Sequence, residues 1–344
     1  MTSYRLTTNG LYRSYRNNLG KNNSRLKETM TTVQTGRQFN TYAEDPAAAS
    51  EAWRLRRSYW RTGDQIDNSN YLSSKFQSAY NAMDSIVDGD SEVPGLDGIY
   101  SAVTGISDSA GSSRTALGKE LIQKAENMVA VLNSKYGDDF IFAGADGAKA
   151  PFEWQGSRLL YRGVDVNAAE TDPEYAKLDK MAREATYVDI GLGMELDANG
   201  QIKPNTAFNS AISGLKFLGY GKDNNLAVTM HELGEIFSRC DVTDGSYTTA
   251  GDEERASELL DQLHDQIRYS QNQHVQLSSD AKFLHTNLSE LEEIKSELNE
   301  QIVEVEEKDM GEAITEMSWA QYCYNAALRI GTNLLSQSLI DYMN

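Results

Sequence analysis

From Leu260 to Val305 the chain carries one unbroken periodic pattern. The positions Leu260, Leu263, Ile267, Ser270, His274, Leu277, Ala281, Leu284, Leu288, Leu291, Lys295, Leu298, Ile302 and Val305 recur at alternating spacings of three and four. That period holds one helix face toward a partner over roughly six to seven heptads and specifies a coiled coil. The polar seam positions His274 and Lys295 lower stability and can fix register. No proline follows Pro204, so no imino acid breaks the helix. A single helix from residue 252 to 305 would be about 80 Å long, a length common in rods and unusual in a globular core. After Val305 the apolar set slips by about one residue, to Met310, Ile314, Met317, Tyr324, Leu328 and Leu335. The acidic stretch Glu306–Glu307–Lys308–Asp309 sits at the slip and reads as a joint between two rod segments.

The N-terminal end mirrors this pattern. Leu11 or Tyr12, then Tyr15, Leu19, Asn22, Leu26, Met30 and Val33, form a helical stripe that Gly36 stops. Asp45–Pro46 is a helix start, with Asp as N-cap and Pro in the first helical position. A second stripe runs through Ala52, Leu55, Tyr59, Ile66, Leu72, Phe76, Tyr80, Met83 and Val87. A third extends from about Ile99 to Leu132 and includes Ile106, Leu117, Leu121, Ala125 and Met128.

The middle differs. Of 26 glycines, 20 lie between Gly89 and Gly251, which makes this part rich in turns. Phe140–Gly144, Phe152–Trp154, Arg158–Tyr161 and Tyr187–Ile190 read as short strands between Gly, Asp and Asn turns. Residues 136 to about 225 are therefore a β-rich insertion, and a helix from Leu226 to Phe237 leads back to the long helix. The expected fold is mainly α with a β-rich insertion.

Charge excludes some functions and suggests a pairing. With 32 basic and 51 acidic side chains the net charge is −19, which repels a nucleic-acid backbone and an anionic membrane surface. No run of about 18 apolar residues exists to span a bilayer, and Arg5, Arg13 and Arg16 interrupt any apolar core of a cleavable signal. Residues 1–61 hold eleven basic and four acidic side chains, a local charge of +7. Residues 252–309 hold sixteen acidic and five basic ones, a local charge of −11. Such segments attract, within a chain or between copies, unless each is simply a solvated face.

No catalytic constellation stands out. His231–Glu232–Leu233–Gly234–Glu235 has the first part of a zinc-protease helix, but that chemistry needs His at the position Glu235 occupies. A surface helix is the plainer reading. His274 on the seam reads as a tolerated polar core residue, and His285 shares its helix. Cys240 and Cys323 read as isolated thiols. Gly191–Leu192–Gly193 follows a strand without phosphate-loop spacing. No metal, cofactor or catalytic residue is expected.

Several blocks together resemble the flagellin superfamily. They are residues 5–50, with the turn Thr35–Gly36–Arg37 and the helix start Glu44–Asp45–Pro46, and the terminal block 309–344. Glu44 departs from the family's Asp at the first position of that start. Phe140–Gly144 is similar to the family's Tyr-Leu-Phe-Ser-Gly hairpin. The ending Ser338–Met343 is closer to the family's hook–filament junction proteins, with Ser-Leu-Leu-Asp-Tyr-Leu, than to filament subunits.

The resemblance implies a layered rod. Its terminal core would be residues 1–44 and 306–344, its helical bundle 45–135 and 250–305, and its outer β domain 136–249. It also implies a non-enzymatic, extracellular subunit joining hook to filament. Its partners would be its own copies in a ring, a neighbouring hook-associated protein, flagellin and an export chaperone. Export would follow the flagellar type III route without a cleaved signal. The assembly stripe is expected at Leu11, Tyr15, Leu19 and Leu26, with Leu328, Leu335 and Leu339 as the C-terminal counterpart; ordinary intramolecular core is the competing role. A filament flagellin, or a flagellin-like chain with a metal-dependent peptidase insert, are the alternatives.

Overall fold

The long helices dominate the architecture. The computed structural model describes residues 8–89, 94–106 and 111–343, with backbone alone at 8–9, 111–112 and 334–343. These fall into two units, one of Met1–Gly63 with Glu293–Asn344, the other of Asp64–Glu292.

The first unit contains helix α1 (Thr8–Thr35), the start of α2 (Pro46–Val87), the end of α8 (Asp252–Glu306) and α9 (Met310–Met343). α1 stops at Gly36, whose φ of +69° lies in the left-handed region that favours glycine. Asp45 caps α2 as expected, its Oδ1 accepting from the amides of Ala47 and Ala48, both at 3.0 Å. The slip in the heptad is a real joint. α8 ends at Glu306, and the Asp309 carboxylate caps α9 by accepting from Gly311 at 2.7 Å and Glu312 at 3.0 Å. The turn after α1 pairs with that joint. The Gln38 amide donates to the Glu306 carbonyl at 2.8 Å, and the Lys308 amide donates to the Gly36 carbonyl at 3.0 Å.

The second unit holds the core. The rest of α2 buries Leu72, Phe76, Ala79 and Met83. The third sequence stripe is two helices, α3 (Leu96–Thr104) and α4 (Gly111–Leu132), because Gly105 closes the first. α4 crosses α7 (Leu226–Ser238) closely at two glycines. A Cβ on Gly234 would meet the Gly118 carbonyl at 2.7 Å, so neither position admits a side chain. The first part of α8 completes the packing. Its buried set is Ala256, Leu259, Leu263, Gln266, Ile267, Ser270, His274, Leu277, Ala281, Leu284, Asn287 and Leu291, close to the predicted seam. Asn287 takes the place predicted for Leu288, since its Oδ1 accepts a 3.0 Å hydrogen bond from the buried Ser69.

The insertion is built from very short strands. β1 (Lys135–Tyr136) pairs with β2 (Asp139–Phe140). β3 (Phe152–Gln155), β4 (Arg158–Tyr161) and β5 (Val164–Asp165) form an antiparallel meander. β6 (Tyr187–Val188) pairs with β7 (Phe208–Asn209). Two helices depart from the expected all-strand insertion, α5 (Pro173–Ala182) between β5 and β6 and α6 (Gly214–Leu218) after β7. α5 begins with Asp172–Pro173, the same start signal as α2. The expectation of a mainly α chain with a β-rich insertion holds.

Candidate assembly surface

The first unit has almost no interior. Among its described residues the buried hydrophobic side chains are Ala52, Leu55, Ala313 and Ala320. Apolar burial is the main favourable term in folding, so helices with this little of it must find more elsewhere.

α1 and α9 pair antiparallel. Tyr15 lies against Gly331 at one end, and Gly36 lies near Met310 at the other. On α1 the half-buried face is Tyr12, Tyr15, Leu19, Asn22, Leu26, Thr29 and Val33. Leu11 and Met30 point outward, which settles the choice between Leu11 and Tyr12. On α9 the face toward the pair is Ala313, Met317, Ala320, Tyr324, Ala327 and Gly331. This corrects the predicted C-terminal stripe. Of its members only Met317 and Tyr324 are half-buried, while Met310, Ile314 and Leu328 are exposed. The physical reason is close approach: the Tyr15 phenol occupies the space a Cβ at Gly331 would need, so small residues line the seam. Of the expected assembly residues, Tyr15, Leu19 and Leu26 thus face α9, and Leu11 and Leu328 face outward. The side chains of Leu335 and Leu339 lie outside the described residues.

One side of the pair is a groove of about 590 Å³ lined by Leu11, Tyr15, Asn18, Leu19, Tyr322, Cys323, Ala327 and Ile330. Large apolar side chains continue around it. Trp319 and Tyr322 stack with ring centroids 5.7 Å apart, yet are 59% and 66% exposed. On α2, Trp53 and Trp60 are exposed as well. Sequence reasoning missed these four aromatics because it sought large residues on the seam. The signal was available: Trp53 and Trp60 sit one residue off the Ala52–Tyr59 stripe, seven apart.

The charge pairing expected between the ends takes a specific form in this unit. Arg56 forms an ion pair with Glu306, and the Lys295 ammonium lies 5.2 Å from the Tyr59 ring centroid. Lys308 is 3.2 Å from Glu316 and 3.4 Å from Glu312, and the hydrogen bond to Glu316 raises its pKa. Glu44 closes the loop before α2. The Asn40 amide donates to it at 2.7 Å and holds its pKa below the ordinary carboxylate value.

The second unit shows where the tempting histidines go. Glu232 is gripped by Arg255, with Nε at 2.7 Å and Nη2 at 3.0 Å, and the same Arg255 reaches Asp223 at 2.7 Å. These bonds raise the Arg255 pKa. His231 packs on Trp154 with centroids 4.8 Å apart. His274 stacks on Tyr80 at 4.8 Å with its Nε2 3.5 Å from Asp84. Among the described residues no three His, Cys, Asp or Glu side chains converge as a metal site.

Residues 6–145 match the bacterial flagellin N-terminal helical region. The chain carries a flagellin N-terminal region. The flagellin resemblance read from the sequence holds over those residues. Its fold is similar to that of a Vibrio parahaemolyticus protein described as a flagellar hook-associated protein. That likeness has 13% identity and a TM-score of 0.54, covering 77% of this chain and 100% of that one. FlgL of Bacillus cereus superposes more loosely, at 15% identity and a TM-score of 0.42 over 73% of this chain and 99% of that one. FlgL of Xanthomonas campestris gives 12% and 0.40 over 72% and 99%. No curated protein matches the sequence. No helix among the described residues is long and apolar enough to cross a membrane.

Proposed function

We propose that this chain is an extracellular structural subunit of the bacterial flagellum that joins the hook to the filament. The observation that carries this is the first unit: helices that pair through a narrow, small-residue seam and turn Leu11, Met310, Ile314, Trp319, Tyr322, Leu328 and Ile330 outward. Of these, Leu11, Tyr322 and Ile330 line one groove and Trp319 stacks on Tyr322, and a contiguous exposed apolar surface of this kind marks a protein interface. The flagellin N-terminal region supplies the setting in which such helices meet neighbours. The terminal segments 1–44 and 306–344 form the assembly layer, and Leu11, Tyr15, Leu19, Leu26, Leu328, Leu335 and Leu339 belong to it. The tail Ser338–Met343 favours a junction subunit over a filament subunit. Copies of the chain form a ring between a hook-associated protein and flagellin, after chaperoned export without a cleaved signal.

Electron microscopy of cells lacking the chain tests this. The expected result is hooks that remain on the cell while intact filaments accumulate in the medium. Filaments attached in normal number overturn the reading. Bare hooks with no filaments in the medium identify a filament subunit instead.

A further inference from the structure

The exposed aromatics of α2 belong to an ordered stripe. Trp53 and Trp60 stand two turns apart, 64% and 70% exposed. Arg57 lies between them with its guanidinium 4.9 Å from the Trp53 ring centroid. Arg54 and Arg61 flank Arg57 at spacings of three and four, both exposed, and Arg54 reaches Glu51 at 3.2 Å. In this unit α2 turns Ala52, Leu55 and Thr62 inward, so the Trp–Arg stripe occupies its opposite face. α8 carries a counterpart. Glu293, Glu297, Glu300 and Glu304 recur at spacings of four, three and four, all exposed, opposite Lys295, Leu298 and Ile302. Like charges at these spacings weaken their own helix, so the stripe gains nothing from local structure. Arg56–Glu306 and Lys295–Tyr59 hold the inward faces of the two helices together. Both stripes therefore point away from that contact.

We infer that the Trp53–Arg57–Trp60 face of α2 docks on the Glu293–Glu304 face of α8 in a neighbouring copy of this chain. The inference rests on the assembling role proposed above and names its lateral contact. The chemistry is complementary: guanidinium groups bind carboxylates directionally, and Trp with Arg is the composition of interface hot spots. Two different faces meet, so the contact is heterologous and passes from copy to copy until it closes as a ring or continues as a helix.

Charge exchange in the full chain tests it, read as the amount of chain recovered in isolated flagella. One variant is Arg54→Glu/Arg57→Glu, the other Glu297→Arg/Glu300→Arg. Each alone is expected to lower recovery about tenfold or more, because like charges then face each other. Co-expressed, the two variants alternate, with intact face on intact face and reversed face on reversed face, so opposite charges meet at every contact and recovery of both returns. Wild-type chain absent from the flagellar fraction removes the assembling role and the contact with it. Wild-type chain present, with both variants recovered in full, overturns the contact alone. Loss without rescue on co-expression, in variants that unfold at the wild-type temperature, overturns a second copy as the partner. A variant that unfolds early is replaced by Arg54→Gln/Arg57→Gln, for which reduced recovery is expected and unchanged recovery contradicts the contact.

Discussion

Gly331 shows how one residue sets the spacing of a helix pair. A Cβ there would collide with the Tyr15 phenol, so Gly331→Leu must push α1 and α9 apart, at a cost of about 1–3 kcal/mol. Adding Tyr15→Ala should recover part of that loss. Amide exchange of α9 in isolated flagella reads the cycle, and strictly additive losses would contradict the contact. Tyr161 makes a second residue-scale case. It is fully buried, and its hydroxyl donates to the Phe142 carbonyl at 3.0 Å. Burial pushes its pKa from 10.0 up to about 12. The unfolded chain ionises this phenol first, so stability is intact below pH 10 and falls as pH rises toward 12, by up to about 1.4 kcal/mol per pH unit from this group. Tyr161→Phe should cost about 1 kcal/mol at neutral pH and flatten that alkaline loss in urea unfolding; an unchanged slope would contradict it. Tyr220, hydrogen-bonded to Asp179 at 3.0 Å, keeps the flattening partial. Neither contact was legible in the sequence. Tyr15 read correctly as a stripe residue, but its partner is a glycine, which no search for apolar periodicity selects.

At the scale of elements, helix starts are legible where an Asp cap precedes a long apolar stripe. Asp45–Pro46 opens α2, and the slip at Glu306–Asp309 is the joint between α8 and α9. Each cap offsets orphan amides at a helix start. Asp45→Ala and Asp309→Ala should each cost their helix about 1 kcal/mol. The free chain should then lose helical circular dichroism on mild warming, and a melting curve identical to wild type would contradict the caps. The long seam of α8 was legible almost residue by residue because its partner faces are apolar and regular. α5 was missed although Asp172–Pro173 repeats the α2 signal, because the helix that follows is short and lies among turns. Strands of two residues, such as β6 and β7, carry no alternation for periodicity to detect. The seam of α9 was misplaced for a different reason. Apolar periodicity weights large residues, whereas Ala313, Ala320, Ala327 and Gly331 make most of the close face, with Met317 and Tyr324, and Met310, Ile314 and Leu328 remain outside.

At the scale of the whole molecule the two units differ in what stabilises them. The second has an extensive core across α2, α4, α7, α8 and the β insertion. The first, among its described residues, buries little beyond alanine. The net charge of −19 conceals the same asymmetry, since a basic N-terminal segment and an acidic α8 present opposite stripes to the outside. Local opening follows burial, so regions with few buried apolar contacts exchange their amides first. The central claim is that the first unit obtains its missing burial from neighbouring subunits. Hydrogen exchange of the free chain, compared with the same chain in isolated flagella, tests this most directly. The predicted result is rapid exchange of residues 10–35 and 310–333 in the free chain, slow exchange of α4 and α7, and strong protection of both terminal segments after assembly. Terminal segments as protected in the free chain as α4 and α7, with no gain on assembly, would contradict it.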